Sequence, residues 1–159
     1  TEVEPGGSSD PDWTAGVLLG SDGETCWVLD VQHERKSPKG VEDLVKKTAG
    51  LDGPTVRVRL EQEPGQSGKA QIAHFAKILR GYDFRGVRPS GSKEVRARPV
   101  SAAAERGEIK LTPGPWVEDF LDELTAFPPD SGGSHDDQVD ALSGAFEDLT
   151  GKKTFFQDW

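Results

Sequence analysis

Residues His135-Asp136-Asp137-Gln138-Val139-Asp140-Ala141 place three carboxylates and a histidine in the opening turns of a predicted helix. Crowding like charges costs stability unless a cation offsets them. Hard divalent ions favour oxygen ligands, and two-metal phosphodiester chemistry needs several such ligands at one point. The same residues also suit a helix N-terminus in their own right, because the macrodipole favours negative charge there. Asp137 and Asp140 are three positions apart and Asp136 and Asp140 four, so either pair shares a helix face. At about 100° per residue all three point away from the apolar stripe Val139, Leu142, Phe146 and Leu149.

Glu61 is the second candidate. It ends the alternating segment Thr55–Glu61, and Gln62-Glu63-Pro64-Gly65 reads as a tight exit from a sheet. A carboxylate at that strand end, beside a helix carrying Asp137, would complete a metal cradle. The competing reading pairs Glu61 with Arg57 or Arg59 on the same strand face. Lys93, Arg96 and Arg98 are the best candidates for contact with a nucleic-acid backbone, against the plainer reading of a solvated charged loop. His135 could ligate a metal, orient a water or cap the helix, and the last two roles are favoured. Gly65-Gln66-Ser67-Gly68-Lys69-Ala70 is not a phosphate loop: its glycines are too close together, and Ala70 stands where a metal-binding Ser or Thr is required. His74 reads as structural, and His33 has no assigned role. Trp13, Trp27 and Trp116 read as core or core-edge residues.

The elements that must position these groups follow from pattern. Residues 1–12 read as an irregular arm, 13–150 as the domain, and 151–159 as a basic, aromatic tail in which Phe155, Phe156 and Trp159 could dock on a partner. Trp13–Gly20 and Thr25–Val31 form a predicted antiparallel hairpin around Ser21-Asp22-Gly23. A helix carrying Val41, Leu44, Val45 and Ala49 follows, then the strand ending at Glu61, then a helix using Ile72, Phe75, Ala76 and Leu79. Phe84–Val87 is a short strand, Val100–Glu105 a helix, and Glu108–Leu111 a strand. Pro115 opens an amphipathic helix that closes at Pro128-Pro129, and the last helix spans His135–Leu149. Helices alternating with strands after an opening hairpin indicate an α/β fold, a mixed central sheet flanked by helices.

The bulk numbers narrow the function. A chain of 159 residues can bury a core of its own. No apolar run approaches the ~18 residues of a membrane span. Cys26 is the sole cysteine, which excludes an internal disulfide and a cysteine-built zinc site and fits a reducing, intracellular setting. A net charge of −9 argues against strong autonomous binding of nucleic acid, although ligand carboxylates would account for part of it. Starting at Thr1 and lacking methionine, the chain reads as part of something longer.

The order WTAGVLLG, VRVRLEQEPGQSGK, GSKEVRARPVSAAAERGEIKL, PWVEDFLDELTAFP and HDDQVDALSGA resembles the C-terminal nuclease domain of phage large terminases, from about Asp10 to Leu149. That resemblance implies an RNase H-like fold related to RuvC-type resolvases. It also implies a Mg²⁺- or Mn²⁺-dependent endonuclease that uses two ions to cut concatemeric viral DNA during packaging in the host cytoplasm. By motif, Glu61 is the strand carboxylate, Asp137 the first choice from the helix, and Asp136 and Asp140 supporting ligands. Lys93 and Arg96 match a basic, DNA-contacting segment. The implied partners are double-stranded DNA, the terminase ATPase domain, the portal and the small terminase subunit, with no membrane. The family pattern sets its first catalytic aspartate on a strand ahead of the matched region, so the expected sheet lacks that strand and the fragment is expected to be catalytically impaired. Asp10 and Asp12 are the nearest substitutes. A junction resolvase or transposase-type nuclease, and a non-catalytic module docking on portal or capsid, are the alternative readings.

Overall fold

The structure is a computed structural model that describes residues 12–128 and 135–151. Asp10, the loop 129–134 and the aromatic residues Phe155, Phe156 and Trp159 lie outside the described residues. Strand β1 (Trp13–Ser21) turns into β2 (Cys26–Arg35), and the two pair antiparallel as expected. Asp22 closes the turn, its Oδ1 accepting from the backbone N–H groups of Glu24 and Thr25 at 2.9 and 2.7 Å. These bonds favour the carboxylate form and hold its pKa below the ordinary value. Strand β2 runs four residues past its expected end. It also carries a bulge: Leu18 pairs with Asp30 and Leu19 with Val28, so Leu29 has no partner. Cys26 and Val28 face the core before the bulge, and Val31 faces it afterwards. The extra residue thus resets the alternation and brings His33, two positions beyond Val31, to the helix-covered side.

Helix α1 (Pro38–Asp52) is opened by Ser37, whose Oγ accepts from the Gly40 N–H at 3.1 Å. Strand β3 (Val58–Glu61) is three residues shorter than its alternating pattern suggests. Helix α2 (Gln66–Ile78) leads to β4 (Phe84–Val87), which pairs parallel to β3 with Glu61 opposite Val87. Helix α3 (Lys93–Glu105) begins seven residues ahead of the expected Val100 start, so Lys93, Arg96 and Arg98 are helical rather than in a loop. Ser92 caps it through the Val95 N–H at 3.2 Å, and Ala97, Val100 and Ala103 form its buried stripe. Pro99 costs that helix one hydrogen bond, but it lies on the exposed face and the buried stripe outweighs the loss. Strand β5 (Ile109–Leu111) adds parallel to β2, followed by α4 (Val117–Thr125) and α5 (Asp137–Thr150).

The strands form two sheets, ordered β1-β2-β5 and β3-β4. Among the described residues no strand hydrogen-bonds one sheet to the other. Each sheet has its own apolar cluster. Val28, Val31, Val100, Phe120, Leu142 and Phe146 fill the first, between the three-stranded sheet and α3, α4 and α5. Ala49, Phe75 and Leu79 centre the second, between α1, α2 and the β3-β4 pair.

Gly68 shows why the Gly-Gln-Ser-Gly-Lys run exists. The residue is buried in the first turn of α2, and a Cβ there would overlap the Glu63 carbonyl oxygen. The glycine lets the helix start pack directly on the strand exit that follows Glu61. Gly→Ala in a helix ordinarily stabilises by up to about 1 kcal/mol. Gly68→Ala is expected to do the reverse, destabilising by about 1–3 kcal/mol as overpacked sites do. Urea unfolding followed by circular dichroism measures the sign.

Candidate metal and nucleic-acid site

Helix α5 sets its acidic residues by an unusual arrangement of its first turn. Asp136 occupies the N-cap position but makes no capping hydrogen bond with its side chain. Glu123 of α4 does that work instead, its Oε2 accepting from the Val139 N–H at 2.8 Å. Gln138, 1% exposed, donates its Nε2 to Glu123 and to Asp119, each at 3.2 Å. Partial burial of Glu123 raises its pKa above the ordinary carboxylate value, and the Val139 and Gln138 donors hold that rise in check. Because Glu123 supplies the cap, the Asp136 carboxylate is left to face α3.

Lys93 and Arg96 lie one turn apart on α3 and reach across to these carboxylates. Lys93 Nζ lies 2.6 Å from Asp136 Oδ1 and 3.0 Å from Asp140 Oδ2. Desolvation lowers the Lys93 pKa, but the hydrogen bonds to Asp136 and Asp140 outweigh it and hold the ammonium above its ordinary value. Arg96 spans the next gap, with Nη2 3.9 Å from Asp140 Oδ1 and Nη1 3.8 Å from Glu61 Oε2. A single chain of alternating charge therefore runs from Asp136 through Lys93, Asp140 and Arg96 to Glu61. Glu61 sits half-exposed at the end of β3. Partial burial raises its pKa first; Arg96 opposes that rise, and Asp140 and Glu63 add to it.

Of the two expectations about Glu61, pairing with Arg57 or Arg59 does not occur among the described residues. Arg57 and Arg59 pair with Asp148 of α5, at 3.5 and 2.9 Å, rather than with Glu61. The structure links Glu61 to Asp140 and Asp140 to Asp136. It does not draw Asp137 into that chain: among the described residues the Asp137 side chain makes no hydrogen bond or salt bridge. Partial burial raises the Asp137 pKa, the neighbouring Asp136 raises it further, and His33, Lys93 and His135 pull it back. Lys93 and Arg96, expected at DNA, are turned inward to the carboxylates, whereas Arg98 stays exposed on α3. Asp12 is exposed. His135 lies just ahead of α5, edge-on to Trp13 with ring centroids 5.7 Å apart, and makes no capping hydrogen bond among the described residues.

Sequence reasoning missed His33, Asp119, Glu123 and Gln138. His33 stacks on Trp13 at 4.2 Å, and its Nδ1 lies 3.0 Å from Asp119 Oδ2. These residues, with Glu123 and His135, border a cavity of about 280 Å³ beside the start of α5. The one signal available was the i, i+4 spacing of Asp119 and Glu123 on the amphipathic helix that precedes the acidic segment.

Over residues 3–149 the chain matches the terminase RNase H-like domain family. The chain belongs to that family. Among curated proteins, none matches it. The mixed α/β architecture is the RNase H-like fold, and the terminase relationship carries a nuclease role in DNA packaging, with DNA and packaging components as partners in general terms. Among the described residues no helix is long and apolar enough to cross a membrane.

Divalent metals are typical of RNase H-like nucleases, so the donors present must be tested against them. Among the described residues no three of His, Cys, Asp and Glu converge closely enough to form a ready-made cradle. The donor chemistry fits nonetheless: the carboxylates Asp136, Asp140 and Glu61 already hold cationic groups between them, in pairs. Lys93 and Arg96 stand where positive charge is wanted.

The raised Asp137 pKa has a definite sign. A carboxyl group whose folded pKa lies above its unfolded value contributes stability at low pH that is lost as pH rises through the folded value. Asp137→Asn should therefore match the wild type in acid, where both side chains are neutral. It should become the more stable protein as pH climbs from the ordinary value of 3.8 past the raised one. Urea midpoints of the two proteins across that range measure the divergence.

Proposed function

We propose that this terminase domain is a Mg²⁺- or Mn²⁺-dependent endonuclease that cuts concatemeric double-stranded viral DNA during genome packaging. The observation that carries the reading is the shared cation: Arg96 lies between Asp140 on α5 and Glu61 at the end of β3. One helix carboxylate and one strand-end carboxylate thus face the same positive group, as ligands of a common ion must. Glu61, Asp140 and Asp137 would hold the metal, with Asp136 in support. Once bound, divalent ions would supply a water of lowered pKa and neutralise charge on the scissile phosphate.

The chain's own residues do the rest. Glu61 is fixed by the strand exit packed against Gly68, and Asp140 by the buried stripe of α5. Asp137, poor in partners and partly desolvated, has the most to gain from a cation. Arg98 is the exposed basic group closest in sequence to the acidic chain's partners and would meet the DNA backbone. Packaging requires the ATPase domain, the portal and the small terminase subunit as further partners, working in the host cytoplasm.

The test is cleavage of linear duplex DNA with Mn²⁺, alongside calorimetric Mn²⁺ binding. Glu61→Ala and Asp137→Ala should each lower the cleavage rate at least ~100-fold, equivalent to about 2.7 kcal/mol at the transition state. Both should also weaken Mn²⁺ binding. Cleavage and binding that survive both substitutions would overturn the assigned site. A strong preference for branched over linear DNA would move the reading to a junction resolvase.

A further inference from the structure

We propose that Lys93 is a built-in competitor of the divalent cation, neutralising Asp136 and Asp140 in its absence and swinging out to solvent when it binds. The inference rests on the metal-dependent reading of this site. Its ground is the position of the ammonium, wedged 2.6 Å from Asp136 Oδ1 and 3.0 Å from Asp140 Oδ2. A cation held by Asp140 with Asp136 in support would need the space the ammonium fills, and two cations at contact distance repel too strongly to share it. A carboxylate pair one helical turn apart therefore holds either the lysine or the metal.

The two basic residues differ in freedom. Lys93 is the first residue of α3 and its side chain is 44% exposed, so a flexible four-carbon stem can carry the charge into water without disturbing the core. Arg96 is 18% exposed, with a buried Nε and looser contacts of 3.8 and 3.9 Å to Glu61 and Asp140. Lys93 is the freer of the two, and it is the group that leaves Asp136 and Asp140. Release has a consequence for a chain of net charge −9. Metal binding adds positive charge at the carboxylates and at the same moment frees a lysine beside them, so the surface becomes attractive to phosphate only when the centre is loaded. Lys93 acts here as a positioning residue for the charge of the site, not as a catalytic one.

Isothermal calorimetry with Mn²⁺ on the full chain separates the possibilities. Lys93→Met should bind Mn²⁺ about 10-fold more tightly than wild type, within the usual range of coupling between two competing ligands. Asp140→Asn should weaken binding in either background. Equal or weaker binding by Lys93→Met, with wild-type binding intact and Asp140-dependent, overturns the competition and leaves the metal reading standing. No Asp140-dependent binding in either protein overturns both. Because Lys93→Met could loosen the α3–α5 contact, a second measurement uses the wild type. On titration with Mg²⁺, the Lys93 Nζ resonance in ¹⁵N-lysine NMR should move to the position of solvent-exposed lysines, with the midpoint of a Mg²⁺ calorimetric titration of the same protein. A resonance unmoved at saturation overturns the proposal.

Discussion

Helix α5 is the joint on which the molecule depends, because the two sheets share no backbone hydrogen bonds among the described residues. Its apolar stripe, Val139, Leu142 and Phe146, seats it on the three-stranded sheet and the helices around it. Its polar side grips the other sheet by charge. Arg59 of β3 is largely buried, donates to Asp148 at 2.9 Å, and also donates to the Asp83 carbonyl at 2.8 Å. A guanidinium that buried is tolerable only when paired, so the contact fixes the orientation of β3 against α5 even where its net worth in stability is small. The register matters to chemistry because Glu61 lies two residues beyond Arg59 on the same strand, and Asp140 two turns before Asp148 on the same helix. The structural ion pair and the candidate site are two ends of one strand–helix contact.

That contact also explains how an acidic chain lines up three carboxylates along one row of basic groups. Each of Asp136, Asp140 and Glu61 has a basic group from α3 beside it, so the charge is offset internally before any external cation is considered. The arrangement needs three independent devices. Ser92 must start α3 early enough for Lys93 and Arg96 to share a face. Glu123 must cap α5 so that Asp136 is not used up as its own cap. Gly68 must let α2 begin against the exit of β3. None touches the others, yet each moves a carboxylate or its partner if lost.

Much of this was legible from residue pattern. Strand pattern found β1 and β4 almost to the residue, and helical spacing found the stripes of α1 and α5. The misses share a cause: they depend on partners distant in sequence. The bulge at Leu29 shifts the buried phase of β2 by one residue, and nothing in Thr25–Val31 announces it, so His33 could not be assigned to the helix-covered face. The basic segment read as a charged loop, because charge pattern ignores the packing of Ala97, Val100 and Ala103 that carries the helix through Pro99. Glu123 capping α5 is invisible locally, since a cap is normally sought in the residue that precedes the helix. The aspartates were legible as a group at the start of α5. Their division of labour was not, because it is set by α3.

That division separates two kinds of acidic residue within one helical turn. Asp140 is the hub, with both oxygens engaged by cations, and its charge is largely accounted for in the folded chain. Asp137 is the opposite case: partly desolvated, next to Asp136, and with its pKa raised as a result. A cation arriving at Asp140 must displace an existing partner and gains only the difference. One arriving at Asp137 relieves desolvation and like-charge repulsion together, with nothing to displace. In the proposed nuclease the two residues therefore serve different purposes. Asp140 makes occupancy conditional on what Lys93 does, and Asp137 supplies the unneutralised charge that makes occupancy favourable at all.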